Sequence, residues 1–206
     1  MIKIRRWDNE KVIHSGNFED VKSCLEDGVR KGISFYKANL IREDLTCVSL
    51  VGADLSGSLL FKADLTETDL TKSDLADADL ERANLTRVDL REASLSGAEL
   101  GRTNLTETTL DGAYLSHANI RGANLSKVCL TRVNLTGVKG ILVFKAVISG
   151  RLYYFIDGEE IKVQAGCFWG TIPELKERIK NEHSEETHWD YLASCDIAER
   201  AFRGHI

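Results

Sequence analysis

Leucine stands at every fifth position from Leu40 to Leu135, Ile120 being the single exception, and Phe35 carries the register one step earlier. Two residues before each centre lies a small or β-branched residue, as in Ala38, Val48, Ala53, Ala63, Ala78, Ala83, Val88 and Ala98. Between the two, most copies place Asp or Asn, for example Ala-Asp-Leu at 53–55 and Ala-Asn-Leu at 83–85. A period of five suits neither a helix of 3.6 residues per turn nor an alternating strand. In a helix these leucines would spiral around every face; in a flat strand they would point to opposite sides in turn. They share one interior only if each pentapeptide forms a short side of a coil and bends at a corner before the next. The leucine and the small residue then face inward, and the other three residues face water.

A second period sets the number of sides. Thr46, Thr66, Thr86, Thr106 and Ser126 recur at twenty residues, as do Arg42, Lys62, Arg82 and Arg102. The inward set Val48, Thr68, Val88, Thr108 and Val128 does the same. Four sides per coil follow. Identical sites then stack at the inter-strand spacing of about 4.8 Å, and about five coils make a rod section of roughly 25 Å. Each buried leucine contributes roughly 1.5–3 kcal/mol before chain entropy is subtracted. Only Phe61 and Tyr114 are aromatic between 37 and 136, which suits an interior too narrow for rings. Glu43 breaks the pattern by taking an inward site in the first coil. Either the coil is open there, or the carboxylate meets the N-terminal segment.

The A-(D/N)-L-x-x signature resembles that of the pentapeptide-repeat family across residues 33–137. The resemblance implies a mainly β fold, a right-handed quadrilateral β-helix; four sides follow from the columns, handedness from the family alone. A coil stack leaves open edges, so caps are expected. Residues 1–32 read as an N-terminal cap: a hairpin over 2–17, then an amphipathic helix over 18–31 with Phe18, Val21, Leu25 and Val29 on one face, stopped by Gly32. Residues 138–206 read as a small C-terminal α/β domain of β-β-β-α-α order. Its strands are expected over 141–149, 152–157 and near 160–164. Gly166-Cys167-Phe168-Trp169-Gly170 then reads as a connection to Thr171, the N-cap of a helix with Glu174 as capping-box partner. Pro173 lies in the tolerant first turn, and a second helix is expected over 189–203. Repeats with such caps are similar to pentapeptide proteins carried by bacteriophages and prophages.

Composition narrows the chemistry. Hydrophobic residues at 43% and charged residues at 29% describe a folded chain, and the net charge of −5 is too mild to announce a nucleic-acid partner. Cys24, Cys47, Cys129, Cys167 and Cys195 are odd in number and widely spaced, which favours reduced thiols and a cytoplasmic setting. No signal-peptide h-region and no apolar run long enough for a membrane span is read in the chain. There is no phosphate-binding loop, dinucleotide fingerprint or H-E-x-x-H motif. His183, His188 and Cys195 do not have a metal-ligand spacing, and Cys167 reads as a buried thiol. No catalytic residue, cofactor site or metal site is therefore expected.

Interaction surfaces remain. The basic column Arg42, Lys62, Arg82 and Arg102, with Arg121 nearby, is suited to an acidic or phosphate-rich partner; its plainer reading is a solvated face neutralised by Asp79, Glu81 and Glu99. The outward acids, among them Asp54, Asp69, Asp74 and Asp89, raise a second idea, because some family members mimic duplex DNA and bind type II topoisomerases such as gyrase. Residues 33–137 carry fifteen acids, close to the charge of a duplex that length, but also eleven bases, and the net of −4 falls short of a mimic's field. The Thr/Ser column reads as inter-coil hydrogen bonding. Phe168 and Trp169, in an aromatic-rich tail, are candidate contact residues for a partner or for a homodimer through the C-terminal domain. The leading expectation is a non-enzymatic protein-interaction module, phage-encoded and directed at a host protein, with no direct nucleic-acid or membrane partner; the alternative is the DNA mimic.

Overall fold

The computed structural model describes residues 1–128, 130, 132–146, 150–157, 160–165, 168–182 and 195. They fall into two compact units, Met1–Lys139 and Gly140–Ile206.

In the first unit the pentapeptides stack at an offset of twenty residues. Parallel bridges join Asn39 to Leu59, Asp44 to Asp64, Ser49 to Asp69 and Asp54 to Asp74, and the offset persists to Asn119 and Lys139. Four sides of five residues make each coil, a quadrilateral β-helix. The motif is explained by where the backbone N–H groups go, since buried ones must be paired. Around Leu85, the Ala83 N–H closes a turn onto the Leu80 carbonyl (2.9 Å), and the Asn84 N–H reaches back one coil to Ala63 (3.0 Å). The Leu85 and Arg87 N–H groups reach forward to Asn104 (2.7 Å) and Thr106 (3.0 Å). The remaining donor, Thr86 N–H, has no carbonyl to meet and bonds the Asn84 side-chain Oδ1 at 3.2 Å. Asp or Asn before the leucine is thus an Asx cap that completes the pentapeptide's hydrogen bonding.

The corner follows the type II pattern, whose third residue needs a positive φ. Glycine supplies it at Gly52, Gly97 and Gly112, yet Arg82, Arg87 and Glu107 adopt the same left-handed conformation with φ near 60°. Inside, the leucine centres are buried, and the inward hydroxyls bond carbonyls: Thr108 to Leu85 at 2.7 Å, Thr103 to Leu80 at 2.9 Å, Ser73 to Leu70 at 2.7 Å. Ser58 is the exception; its buried Oγ has no partner.

Before the coils come β1 (Ile2–Arg5), β2 (Val12–Gly16) and α1 (Val21–Arg30), the strands forming an antiparallel hairpin with an irregularity between Ile4 and Arg5. The chain leaving β1 runs along the first coil: Arg6 bridges Ala38, Asn39 N–H bonds Arg5 O (2.8 Å), and Trp7 N–H bonds Lys37 O (3.0 Å). These bonds pair groups an open first coil would leave exposed. The helix starts later than expected because Asp20 caps it, accepting from Ser23 N–H at 2.8 Å, and it ends before Gly32 at φ 66°. Its buried face is also shifted, to Cys24, Leu25 and Gly28; Phe18, Val21 and Val29 are only half-buried. The reason is Phe35. Its ring packs so near the helix that a Cβ on Gly28 would lie 2.4 Å from Cζ. Glu43 is half-buried and makes no side-chain hydrogen bond or ion pair, so the expected partner from the N-terminal segment is not found, while its backbone keeps the turn to Leu40 O (3.2 Å) and accepts from Asp64 N–H (3.0 Å).

The second unit is a four-stranded antiparallel meander, β3 (Ile141–Ala146), β4 (Gly150–Asp157), β5 (Glu160–Ala165) and β6 (Phe168–Thr171), followed by α2 (Ile172–Glu182). The expected three strands are four. Phe168–Thr171, expected as a connection, pairs with β5 through Val163–Gly170 and Ala165–Phe168. A strand of four residues with a glycine has too little side-chain pattern to announce itself; its ladder is made by backbone. The α2 capping box is present, with Thr171 N–H on Glu174 Oε2 at 2.7 Å and Glu174 N–H on Thr171 Oγ1 at 3.3 Å. Ile172, Leu175 and Ile179 form its buried stripe, against β5 and β6. The second helix expected over 189–203 lies outside the described residues apart from Cys195, which is helical and buried.

Candidate interaction columns

The candidate acids do not form one surface. Asp54 and Asp74 stack on one side of the coil, Asp69 and Asp89 on the side before it. Each also has a structural task. Asp69 accepts from Thr71 N–H (3.0 Å) and Oγ1 (2.6 Å), and Asp74 from Ala76 N–H (2.9 Å). Asp89 accepts from Arg91 N–H (3.1 Å) and the Arg91 guanidinium (2.5 Å), whose hydrogen bond holds its carboxyl below the usual range. Burial works to raise Asp54, but hydrogen bonds from Ser34 and Ser56 outweigh it and leave the carboxyl lowered. The charges are partly consumed as well. Of the fifteen acids in 33–137, Asp44, Glu67, Glu81, Asp89, Glu92, Glu107 and Asp111 lie in ion pairs.

Two of the four corner columns differ sharply in charge. At one, the column runs Cys47, Glu67, Arg87, Glu107, Lys127, and opposite charges pair up the stack: Arg87 to Glu67 and Lys127 to Glu107, both at 2.5 Å. At the corner one side earlier, the column is Arg42, Lys62, Arg82 and Arg102, all exposed and all at φ 58–60°. Each is fixed by its backbone N–H to the next coil, on Phe61, Glu81, Gly101 and Arg121 carbonyls at 2.9–3.1 Å. The expected neutralisation by Asp79, Glu81 and Glu99 is found only for Glu81, which lies 3.4 Å from Arg82. Asp79 instead accepts from Glu81 N–H (3.0 Å), and Glu99 from the Asn119 amide (2.7 Å). Lys62 lies over the Phe61 ring at 5.3 Å; Arg42 and Arg102 have no ion partner. Arg121 is exposed beside Gly122, which takes the corner in the next coil.

The Thr/Ser column is more tightly used than its sequence suggests. Thr66, Thr86 and Thr106 each donate to the Asp or Asn two residues earlier at 2.6 Å. They also accept from the Asn of the next coil, Asn84, Asn104 and Asn124, at 2.9–3.0 Å. These asparagine amides form an inter-coil ladder that sequence reasoning missed; Asn84, Asn104 and Asn124 at twenty-residue spacing were the available signal. Phe168 and Trp169 are placed by backbone in β6, paired with Ala165 and Gln164. Among the described residues, no group of three or more His, Cys, Asp or Glu is arranged to hold a metal ion, and no helix is long and apolar enough to cross a membrane. Two open depressions border the N-terminal elements, of about 270 Å³ by Arg6, Lys11 and Tyr36 and about 350 Å³ by Glu26, Arg30 and Val51.

The pentapeptide-repeat family model matches residues 63–102 and 98–137. Residues 63–137 thus match the repeats of that family, and the bridges at twenty-residue offset carry the same register back to Asn39. Similar solved structures include HetL, a pentapeptide-repeat protein involved in heterocyst differentiation regulation in the cyanobacterium Nostoc, at 39% identity over 49% of this chain and 50% of that one, TM-score 0.35. A pentapeptide-repeat protein of the Arabidopsis thaliana thylakoid lumen is 32% identical over 44% of this chain and 66% of that one, TM-score 0.38. Full-length QnrB1, a plasmid-mediated fluoroquinolone resistance protein, is 18% identical over 52% of this chain and 72% of that one, TM-score 0.21. The chain thus spans about half the length of HetL. No curated protein sequence matches it.

Proposed function

We propose that this pentapeptide-repeat chain is a non-catalytic protein-interaction module of the cytoplasm whose coil presents fixed side-chain columns to a protein partner; if phage-encoded, it acts on a host protein. The observation that carries this reading is the division of labour on the coil. The inward positions and the Asx and threonine positions are consumed by the fold, while the basic corner residues are exposed, held in register by backbone bonds and paired only once. A surface of that kind is organised for contact rather than for chemistry. Capture from a bacterial lysate with the full chain, at low and raised salt, tests it: one salt-sensitive protein partner is expected. Recovery of none, with a turnover activity found in the purified chain, overturns it. The DNA-mimic alternative is disfavoured by the ion-paired acids, and micromolar protein is expected to leave gyrase supercoiling unchanged.

A further inference from the structure

Resting on the interaction-module reading, we propose that the Arg42–Lys62–Arg82–Arg102 corner is a docking edge for an acidic α-helix lying along the coil axis. Two observations carry it. Four like charges are stacked at successive coils, about 4.8 Å apart, where mutual repulsion opposes the fold. The neighbouring corner shows how this chain cancels such a cost, by alternating sign and closing Glu67–Arg87 and Glu107–Lys127 at 2.5 Å. Alternation is absent at the basic corner. Three of its four residues have no ion partner, and glycine, the conformationally easier choice at a left-handed corner, is used in the same column only at Gly122.

Spacing selects the partner. Three steps along the corner cover about 14 Å. Carboxylates at i, i+3, i+7 and i+10 of an α-helix cover about 15 Å, a difference that flexible Arg and Lys side chains absorb. An extended peptide presents same-face side chains about every 6.6 Å and overshoots to about 20 Å. One strand of duplex DNA places charges about 3.4 Å apart and undershoots. The surroundings select the side. The preceding side carries Asp79, Glu81 and Glu99, which repel an acidic helix. On the following side Asp44 is held by Lys22 at 2.9 Å, Asp64 accepts from Thr66 and Asn84, and the rest of the column is the amides of Asn84, Asn104 and Asn124. The helix lies over the corner toward these amides.

The test is fluorescence anisotropy of the full chain with three probes: an alanine-rich helical peptide with four Glu in one stripe, the same peptide with the Glu spread around the helix, and a 20-base-pair DNA duplex. The striped peptide is expected to bind at least tenfold tighter than the spread one and to weaken at least tenfold on raising salt from about 50 to 300 mM. An Arg82→Gly, Arg102→Gly variant, whose corners match Gly122, is expected to keep its far-UV spectrum and lose at least fivefold. Equal binding of both peptides, tighter binding of DNA, or an unaffected double variant overturns the proposal. If the double variant still captures a lysate partner as the parent does, the corner falls while the module reading stands.

Discussion

Ser58 occupies the inward column Ala38, Ser58, Ala78, Ala98, Ala118, and alone of that column carries a hydroxyl, buried and unpartnered. A buried donor without a partner costs about 1–3 kcal/mol, and alanine already fits the site four times over. Ser58→Ala is therefore expected to stabilise the chain by about 1 kcal/mol, read as a raised denaturant midpoint with unchanged slope; an equal or lower midpoint refutes the assignment. Glu43 and Asp44 are neighbours whose carboxyl pKa values are displaced in opposite directions. Desolvation raises Glu43, so its charged form opposes folding: stability is fullest below its unfolded value and falls as pH rises through the folded one. Glu43→Gln should raise the melting temperature at pH 7 and do little at pH 4; an equal gain at both excludes desolvation as the cause. Asp44 is held down at about 2, first by Thr46 N–H and then by Lys22 and the Thr46 hydroxyl. Its contribution is present above the ordinary aspartate range and lost as pH falls through about 2. Asp44→Asn keeps the Asx cap, as Asn84 does on the same side, and should flatten the acid limb of stability between pH 4 and 2.

At the scale of elements, what could be read from sequence was whatever repeats. Leu and its small neighbour recur about twenty times, so sidedness, corner positions and the inward column follow from periodicity alone. Elements that occur once were read less well, because no second copy corrects the register. In α1 the strongest local signals, Asp20 as cap and Gly28 as a contact glycine, are single residues whose meaning depends on Phe35 arriving from the first coil. β6 was missed for a related reason: its four residues pair by backbone with β5. The candidate columns were legible as positions but not as partners. Whether Arg82 meets an acid depends on where Asp79, Glu81 and Glu99 spend their oxygens, and only Glu81 turns to it. The Gly28–Phe35 contact gives a direct check. Phe35 is fully buried and cannot withdraw, so Gly28→Ala should destabilise by about 1–3 kcal/mol despite alanine's better helix propensity. A stabilised variant would show that the approach is looser than the geometry implies.

At the scale of the molecule, the coil stack is a one-dimensional object whose cooperativity resides in nearest-neighbour interfaces. The Leu45, Leu65, Leu85 and Leu105 N–H groups each donate to the following coil, and the Asp64, Asn84, Asn104 and Asn124 N–H groups to the preceding one, so an inner coil is bonded to both neighbours. Damage in the middle exposes two faces, each a row of unpaired groups and uncovered leucines. Leu85 is fully buried at such a middle position. Leu85→Asp places a carboxylate where neither water nor a cation reaches it, a cost of several kcal/mol that one coil's burial does not offset. The expected result is loss of amide protection across the flanking coils on both sides, read by hydrogen exchange, while β3–β6, in the separate second unit, keep theirs. Arg87→Ala, at the corner two residues on, removes an exposed ion pair with Glu67 and should leave the protection of the flanking coils unchanged. If Leu85→Asp unprotects only the amides of residues 83–87, the coils are energetically independent. The columns could not then act as one rigid array, and a helix-long docking edge would lose its physical basis.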